Sequence, residues 1–185
     1  LLLVKPYTRN KILLSKYIVA LSSIFMAIFI MFTFQLIIGG LFFGFDSLSD
    51  KVVVYSSVTD SAQYINVIKY FVLTTIGKLP HFIILATLAF AASAIINNTA
   101  VSIITGFVGY IGTNILTMLL VRLSSKAWVK YFIGFNWDFK QFIFKLQPEV
   151  SGINFKFSIM VCIIYFLILI IPAFIVFKHK DIKNI

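Results

Sequence analysis

Four long apolar runs divide the chain, and all of its Asp, Glu, Lys and Arg residues lie outside these runs. The runs cover residues 17–45, 79–96, 101–121 and 157–177. A helix needs about 20 apolar residues to cross the hydrocarbon core of a bilayer. The pattern therefore predicts an all-α polytopic membrane protein with four transmembrane helices in this chain.

The stretch between the first two runs carries an amphipathic pattern. Asp60 and Gln63 have the spacing of a capping box, and the apolar positions of residues 64–79 fall mainly on one helical face. This pattern predicts an amphipathic helix that begins at Asp60 and either lies at the outer interface or leads into the next span. Because proline is tolerated in a first helical turn, a separate helix is expected to begin near Pro80. Residues 52–55 favour a short extended piece.

Residues 122–156 are basic and rich in aromatic side chains. They contain six Lys or Arg residues, opposed by Asp138 and Glu149. Aromatic rings favour the membrane interface, and lysine stems can reach from it into water. We expect external interfacial helices here, broken at residues 134–138 and stopped by Pro148, with a shallow re-entrant hairpin as the alternative. Stacking on nucleic acid would require the segment to leave the membrane, so no nucleic-acid partner is expected.

The composition agrees with the lipid bilayer as the main surroundings of the chain. The 185 residues are 61% hydrophobic and 12% charged, whereas soluble domains average about 25% charged residues. The net charge of +10 comes from basic residues that flank the apolar runs, including those at the two chain ends. Lys and Arg are enriched in cytoplasmic loops. We therefore expect a multi-pass protein of the cell membrane with both ends of this chain cytoplasmic.

Candidate chemistry inside the four runs is sparse. His81 is their only His, Asp, Glu, Lys or Arg, and the single cysteine, Cys162, is best interpreted as a small buried residue. The chain has no G-x-x-x-x-G-K-[ST] phosphate loop. We expect no catalytic or metal site, so uphill transport would need a partner as its energy source. Gln35 and Asn114 place amides inside spans, where they either form interhelical hydrogen bonds or line a substrate path.

Three short phrases resemble those of ABC-2 type ABC transporter permeases. Residues 5–16 (KPYTRNKILLSK) resemble the phrase between the second and third membrane helices of that family. Residues 177–182 (FKHKDI) resemble its usual ending, and residues 92–100 resemble its inner turn between helices four and five. The family has six membrane helices per subunit. The resemblance implies that this chain, which begins without Met, holds the C-terminal four, with two more expected in the full-length protein.

The resemblance also implies partners and site residues. Two permease subunits, as a homodimer or a heterodimer, would bind cytoplasmic ABC ATPase subunits that carry ATP and Mg²⁺, while this chain itself binds no cofactor. Residues 5–16 would form the coupling segment that docks on the ATPase, through Tyr7, Thr8, Arg9, Lys11, Ile12 and Lys16. The candidates for a substrate path or a dimer contact are Phe29, Phe32, Gln35, Asn114 and Thr117.

The expected function is that of a membrane-spanning permease subunit of an ATP-driven exporter. It would move a lipophilic, amphipathic or peptide substrate out of the cell, and it would be a non-catalytic subunit of the ATP-hydrolysing complex. Two other functions stay open on the residues alone. One is a secondary transporter or channel that is not driven by ATP, and the other is a membrane scaffold or sensor.

Overall fold

A computed structural model describes residues 9–96 and 98–179. Its elements, in chain order, are α1 (Arg9–Phe43), β1 (Lys51–Ser56), β2 (Ser61–Asn66), α2 (Val67–Ile96), α3 (Thr99–Leu120), α4 (Lys140–Ile143) and α5 (Phe155–His179). Among the described residues, α1, α2, α3 and α5 are each long and apolar enough to cross a membrane. The prediction of an all-α polytopic membrane protein with four spanning helices is confirmed, with a β-hairpin in addition.

Successive long helices run in opposite directions, so their ends define two sides of the protein. The hairpin of β1 and β2 shares one side, here called the hairpin side, with the connector between α3 and α5 (residues 121–154). The Ser56 hydroxyl donates to the Lys145 carbonyl at 3.0 Å, and the Gln147 amide donates to the Ser57 hydroxyl at 2.8 Å. The opposite side, here called the terminal side, holds the first turn of α1, the turn between α2 and α3, and the last turn of α5.

The first part of the stretch predicted as an amphipathic helix from Asp60 is the strand β2, whereas its remainder, from Val67, is helical and leads into the next span. β2 pairs antiparallel with β1 in a register that places Val53 opposite Tyr64, and Asp60 lies in the turn between them with a φ of 47°. The valine-rich β1 offers this stretch a row of backbone partners, and a capping-box pattern cannot reveal such non-local pairing. At the start of α2, it is the Asn66 side chain that accepts a hydrogen bond from the Ile68 amide (2.9 Å).

The central helix of the fold is α2, because it packs against α1, α3 and α5. It continues through Pro80, so the prediction of a separate helix that begins there is wrong. A proline removes one backbone hydrogen bond, but packing by neighbouring helices keeps such helices continuous in membranes. As a result, residues before and after Pro80 share the faces of one helix.

Small residues close the terminal side of the bundle. Leu13 of α1 packs with Ala91 of α2 and Ala173 of α5, and all three are buried. Short side chains let helix backbones approach closely, which favours helix association in lipid. One turn further along α1, the Tyr17 and Thr87 hydroxyls form a buried hydrogen bond of 2.8 Å. The beginning of α1 is therefore held firmly against the bundle.

The connector folds as three 3₁₀ turns and the short α4, not as the two interfacial helices expected from the sequence. Asn136, which is fully buried, explains the difference. Its amide nitrogen donates to the carbonyls of Lys130 (2.7 Å) and Phe132 (2.9 Å), and its side-chain oxygen accepts from the Ser158 hydroxyl (2.9 Å). These bonds fold the connector back on itself and tie it to α5.

Candidate functional site

The described part of the predicted coupling segment is the beginning of α1. Tyr7 and Thr8 lie outside the described residues, and Arg9 begins the helix, although its side chain is not described. Three further residues proposed for docking are exposed: Lys11, Ile12 and Lys16. Leu13 and Tyr17 of the same turns are buried in the bundle. A docking role for the exposed residues stays a prediction.

The five residues proposed to line a substrate path do not converge on one place. Phe32 and Gln35 line a cavity between α1 and α2. Thr117 lines a different cavity, on the hairpin side. The Phe29 ring is 71% exposed on the open face of α1. Asn114 is also exposed, and its amide donates to a carbonyl one turn earlier in its own helix at 2.8 Å.

The cavity between α1 and α2, here called the α1–α2 cavity, has a volume of about 290 Å³. It is lined by Ile28, Met31, Phe32 and Gln35 of α1 and by Phe71, Thr74, Thr75, Lys78 and Phe82 of α2. No residue of α1 between positions 18 and 39 is buried, so the helix stands away from α2 over this stretch. Leu13 holds α1 on the terminal side, and the Phe45 ring packs against Gly40 near the hairpin side.

The polar residues of the α1–α2 cavity lie within about 6 Å of depth, and Lys78 is the deepest of them. Gln35 is eight residues before the end of α1, and Thr75 is eight residues after the start of α2. At 1.5 Å per residue, both lie about 12 Å from the hairpin-side ends of their helices. Ile28 and Phe82 each lie about 10 Å deeper. The cavity is therefore polar toward the hairpin side and apolar toward the centre of the bilayer.

Three polar groups of the α1–α2 cavity have no partner among the described residues. The Thr74 hydroxyl oxygen is buried without a hydrogen bond, and the Gln35 and Lys78 side chains make no hydrogen bond or ion pair there. Thr75, in contrast, donates to the Phe71 carbonyl at 2.9 Å. Gln35 and Lys78 are exposed, and only the Thr74 oxygen is buried. A buried polar group without a partner costs about 1–3 kcal/mol. The arrangement is thus suited to receive the polar head of a ligand.

Another face of α2 is closed by the connector. The His81 ring stacks on Trp137 with centroids 4.0 Å apart, and the Phe139 amide donates to the Gly77 carbonyl at 2.8 Å. A Cβ on Gly77 would lie 2.9 Å from the Lys140 backbone nitrogen, so a side chain there would push the connector away. Among the described residues, no group of three or more His, Cys, Asp or Glu could hold a metal ion.

A second cavity, of about 270 Å³, lies on the hairpin side between α3 and the connector. Thr117, Gln141 and Glu149 are among the residues that line it. The Lys140 ammonium and the Asp138 carboxylate at its wall form an ion pair of 3.1 Å. Two of its charges are therefore paired within the chain, which sets this cavity apart from the α1–α2 cavity.

Comparison with known proteins assigns a family. Residues 1–183 match the proteins of unknown function called DUF2705. The chain belongs to the DUF2705 family. Two relatives from Bacillus subtilis (strain 168) are the uncharacterized protein YhcI, 28% identical over 189 residues, and the uncharacterized membrane protein YdbK, 26% identical over 183 residues. The alignments cover 100% and 98% of this chain but only 58% of YhcI and 68% of YdbK. No solved structure matches the chain.

Membership of DUF2705 corrects the resemblance drawn from short phrases. No ABC-2 family matches the chain, and both relatives are uncharacterised, so the identification as an ABC-2 permease is wrong. Two of the phrases, residues 5–16 and 177–182, are basic flanks of apolar runs. Unrelated membrane proteins acquire such flanks through the same preference for positive charge in cytoplasmic loops. The membrane character of the chain does not depend on this resemblance.

Sequence reasoning misses the three polar residues that α2 contributes to the α1–α2 cavity in this DUF2705 chain: Thr74, Thr75 and Lys78. A signal is present, because Thr74 and Lys78 are four residues apart and share a helix face. The span predicted from residue 79 leaves Lys78 in a flank, whereas α2 begins at Val67 and carries it within the helix. Because a separate helix is expected near Pro80 from the sequence, the face that Thr74 and Lys78 share with the membrane-spanning part of α2 is not recognised.

Proposed function

We propose that this DUF2705 chain is the membrane-embedded part of a permease subunit. It binds an amphipathic substrate in the α1–α2 cavity and moves it out of the cell with energy from a separate ATPase subunit. The observation that carries the proposal is the cavity itself, with Gln35, Thr74 and Lys78 unpartnered within the described residues and apolar walls deeper in the membrane. A purely structural helix pair normally satisfies its buried polar groups internally, and the buried Thr74 oxygen is not satisfied by any described residue.

The proposed direction rests on the distribution of charge. The first turns of α1 carry Lys11 and Lys16, and the last turn of α5 carries Lys178, whereas residues 46–60 hold three aspartates against one lysine. The preference for positive charge in cytoplasmic loops then puts the terminal side in the cytoplasm and the hairpin outside.

The basic connector is compatible with this direction. The Lys130 ammonium lies 5.3 Å from the centroid of the Tyr131 ring and 5.6 Å from that of Phe157. These contacts hold the lysine against aromatic rings of the kind that favour the membrane interface. The charge preference concerns free loops more than side chains held in this way, so the connector does not outweigh the charge at the chain ends.

The composition of the helices favours a separate source of energy. None of α1, α2, α3 and α5 contains Asp or Glu, whereas ion-coupled transporters commonly use carboxylates at membrane depth. The exposed Lys11 and Lys16 give an acidic partner a surface to bind. We therefore assign ATP and Mg²⁺ to an ATPase subunit on the terminal side.

A second permease subunit belongs to the proposal, and α3 offers a surface for it. Between residues 103 and 120, α3 has no residue that is buried within the described chain. At Gly112, no atom lies within 4 Å of the position that a Cβ would take. Small residues on an open helix face favour close helix contacts in lipid. The partner subunit would be an identical chain or a homologue.

The test measures substrate-stimulated ATP hydrolysis by the full-length protein, reconstituted with the ATPase that co-purifies with it. Phe32→Ala and Gln35→Ala should each raise the substrate concentration for half-maximal stimulation about tenfold, because each removes a contact in the cavity. Phe29→Ala is the matched control, since its ring lies outside the cavity, and it should behave like the wild type.

Two further results decide the energy source. Lys11→Glu combined with Lys16→Glu should abolish the stimulation while the protein stays folded, because the substitution reverses the charge of the proposed docking surface. Transport driven by an ion gradient in the absence of ATP would contradict the proposal and indicate a secondary transporter. Failure to recover any ATPase with the full-length protein would also contradict it.

A further inference from the structure

We infer that the α1–α2 cavity selects amphiphiles whose head group is anionic, with the head at Lys78 and the tail directed toward the centre of the bilayer. This inference rests on the proposed function for the claim that such a molecule is transported. Binding and charge selectivity follow from the cavity alone, and they can be measured without an ATPase.

Charge is the first argument. Lys78 is the only Asp, Glu, Lys, Arg or His among the residues that line the cavity, and no carboxylate lies within ion-pair distance of it in the described part of the chain. The nearby Asp138 is paired with Lys140 at 3.1 Å on another side of α2. Lys78 is exposed within the chain, and a charged side chain that faces the membrane is stabilised by a partner of opposite charge. A bound anion would supply that partner.

Hydrogen-bonding capacity is the second argument. An ammonium offers three donors, an amide nitrogen two, and a hydroxyl one. Lys78, Gln35 and Thr74 bring these donors to within about 6 Å of depth in the cavity, and none of them is used by a described residue. Carboxylate and phosphate oxygens accept such bonds, and charge-assisted bonds are about twice as strong as neutral ones. The donor set therefore fits an oxyanion better than a cation or a neutral head.

The apolar end gives the orientation of the ligand. Ile28 and Phe82 line the cavity about 6 Å closer to the bilayer centre than Lys78 does. Met31, which also lines it, is 61% exposed, so the wall is open to lipid beside α1. An acyl chain can lie against these side chains and leave sideways through the opening. Two common sources present this chemistry, a free fatty acid and an anionic phospholipid.

The experiment uses the full-length protein in nanodiscs of phosphatidylcholine, with three photoactivatable probes. These are a palmitate, a phosphatidylglycerol, and a hexadecyltrimethylammonium with a tail of the same length as palmitate. Labelled peptides are identified by mass spectrometry. One or both anionic probes should label the cavity-lining stretches of α1 and α2, and the cationic probe should not. The anionic probe that labels more strongly identifies the source.

The matched variants are Lys78→Gln, Lys78→Arg and Lys69→Gln. Lys78→Gln should raise the half-saturating concentration of the anionic probe about tenfold, because a charge-assisted contact is lost. Lys78→Arg keeps the charge and should restore most of the binding. Lys69→Gln removes an exposed lysine of the same helix that does not line the cavity, and should leave binding unchanged.

Equal labelling by the cationic and anionic probes would overturn the inference, as would wild-type binding by a folded Lys78→Gln protein. Its failure is distinguishable from failure of the proposed function. Anion-selective binding without ATPase stimulation would refute the transport role and leave the inference standing. Stimulation only by neutral or cationic substrates would support the transport role and refute the inference.

Discussion

Two faces of α2 lie at a similar depth near the hairpin side, but they differ in whether their polar groups have partners within the chain. Toward the connector, His81 stacks on Trp137 and the backbone of the two segments is joined by a hydrogen bond. Toward α1, the Thr74 hydroxyl and the Lys78 ammonium have no partner within the described chain. The first face is closed by protein, and the second is open.

The difference teaches how to tell a structural polar group from a functional one inside a membrane protein. Buried Asn136, in the connector, has both its amide nitrogen and its amide oxygen satisfied by the chain. Such a group fixes the shape of its surroundings. The buried Thr74 oxygen makes no hydrogen bond to a described group, so its hydrogen-bonding capacity is free for a ligand. Three substitution pairs test this distinction.

The largest effect is expected for Asn136→Leu. This change strands two carbonyls and the Ser158 hydroxyl in a buried site, so the free energy of unfolding should fall by about 3 kcal/mol. Asn114→Leu is the matched control, because its exposed amide bonds only within its own helix, and it should change stability by less than about 0.5 kcal/mol. Thermal unfolding in detergent measures both, and equal losses would contradict the assignment of Asn136 as a structural group.

A smaller effect is expected for Gly77→Ala on the closed face. The new Cβ would meet the Lys140 backbone, and such overpacking should outweigh the gain in helix propensity, for a net loss of about 1 kcal/mol. Gly39→Ala in α1 should instead stabilise by about 0.5–1 kcal/mol, because no atom lies within 4 Å of its Cβ position. Opposite signs of the two changes in thermal unfolding would confirm the comparison. A loss from Gly39→Ala would show that α1 is packed more tightly in solution.

The smallest effect separates two threonines of α2. Thr87→Val removes the hydroxyl that bonds Tyr17 and should cost about 0.6–1 kcal/mol. Thr74→Val removes an unpartnered hydroxyl and should leave the free energy of unfolding unchanged or slightly raised. The same thermal assay compares the two, and a larger loss for Thr74→Val would mean that its hydroxyl has a structural partner.

The helices were predictable because each depends on a local property, the length of an apolar run. The hairpin was less predictable, because the pairing of Val53 with Tyr64 joins residues of two separate segments. The capping-box spacing of Asp60 and Gln63, in contrast, is a local signal that favours a helix. The start of α2 was misplaced for a related reason. Proline is compatible with both a helix start and a helix interior in a membrane, and only tertiary packing decides between them.

The candidate cavity was predictable in part. Gln35 stood out as an amide within an apolar run, and Phe32 lies one turn before it. Lys78 and Thr74 became cavity residues only once α2 was known to be continuous. The separation of Phe29, Asn114 and Thr117 from the cavity also depends on how the helices are rotated and packed, which the apolar pattern does not determine.

The long, unbroken α1 has a mechanical consequence. Its firmest contact with the bundle, at Leu13 and Tyr17, is close to one end and acts as a fulcrum. Lys11 lies about 9 Å from Tyr17 on one arm, and Gln35 lies about 27 Å away on the other. If α1 pivots as a rigid rod, a sideways movement at Lys11 produces a movement about three times larger at Gln35, in the opposite direction. The attachment of α1 to the hairpin sets the limit of this movement. A small displacement of the first turns of α1 is therefore expected to produce a larger change in the width of the cavity.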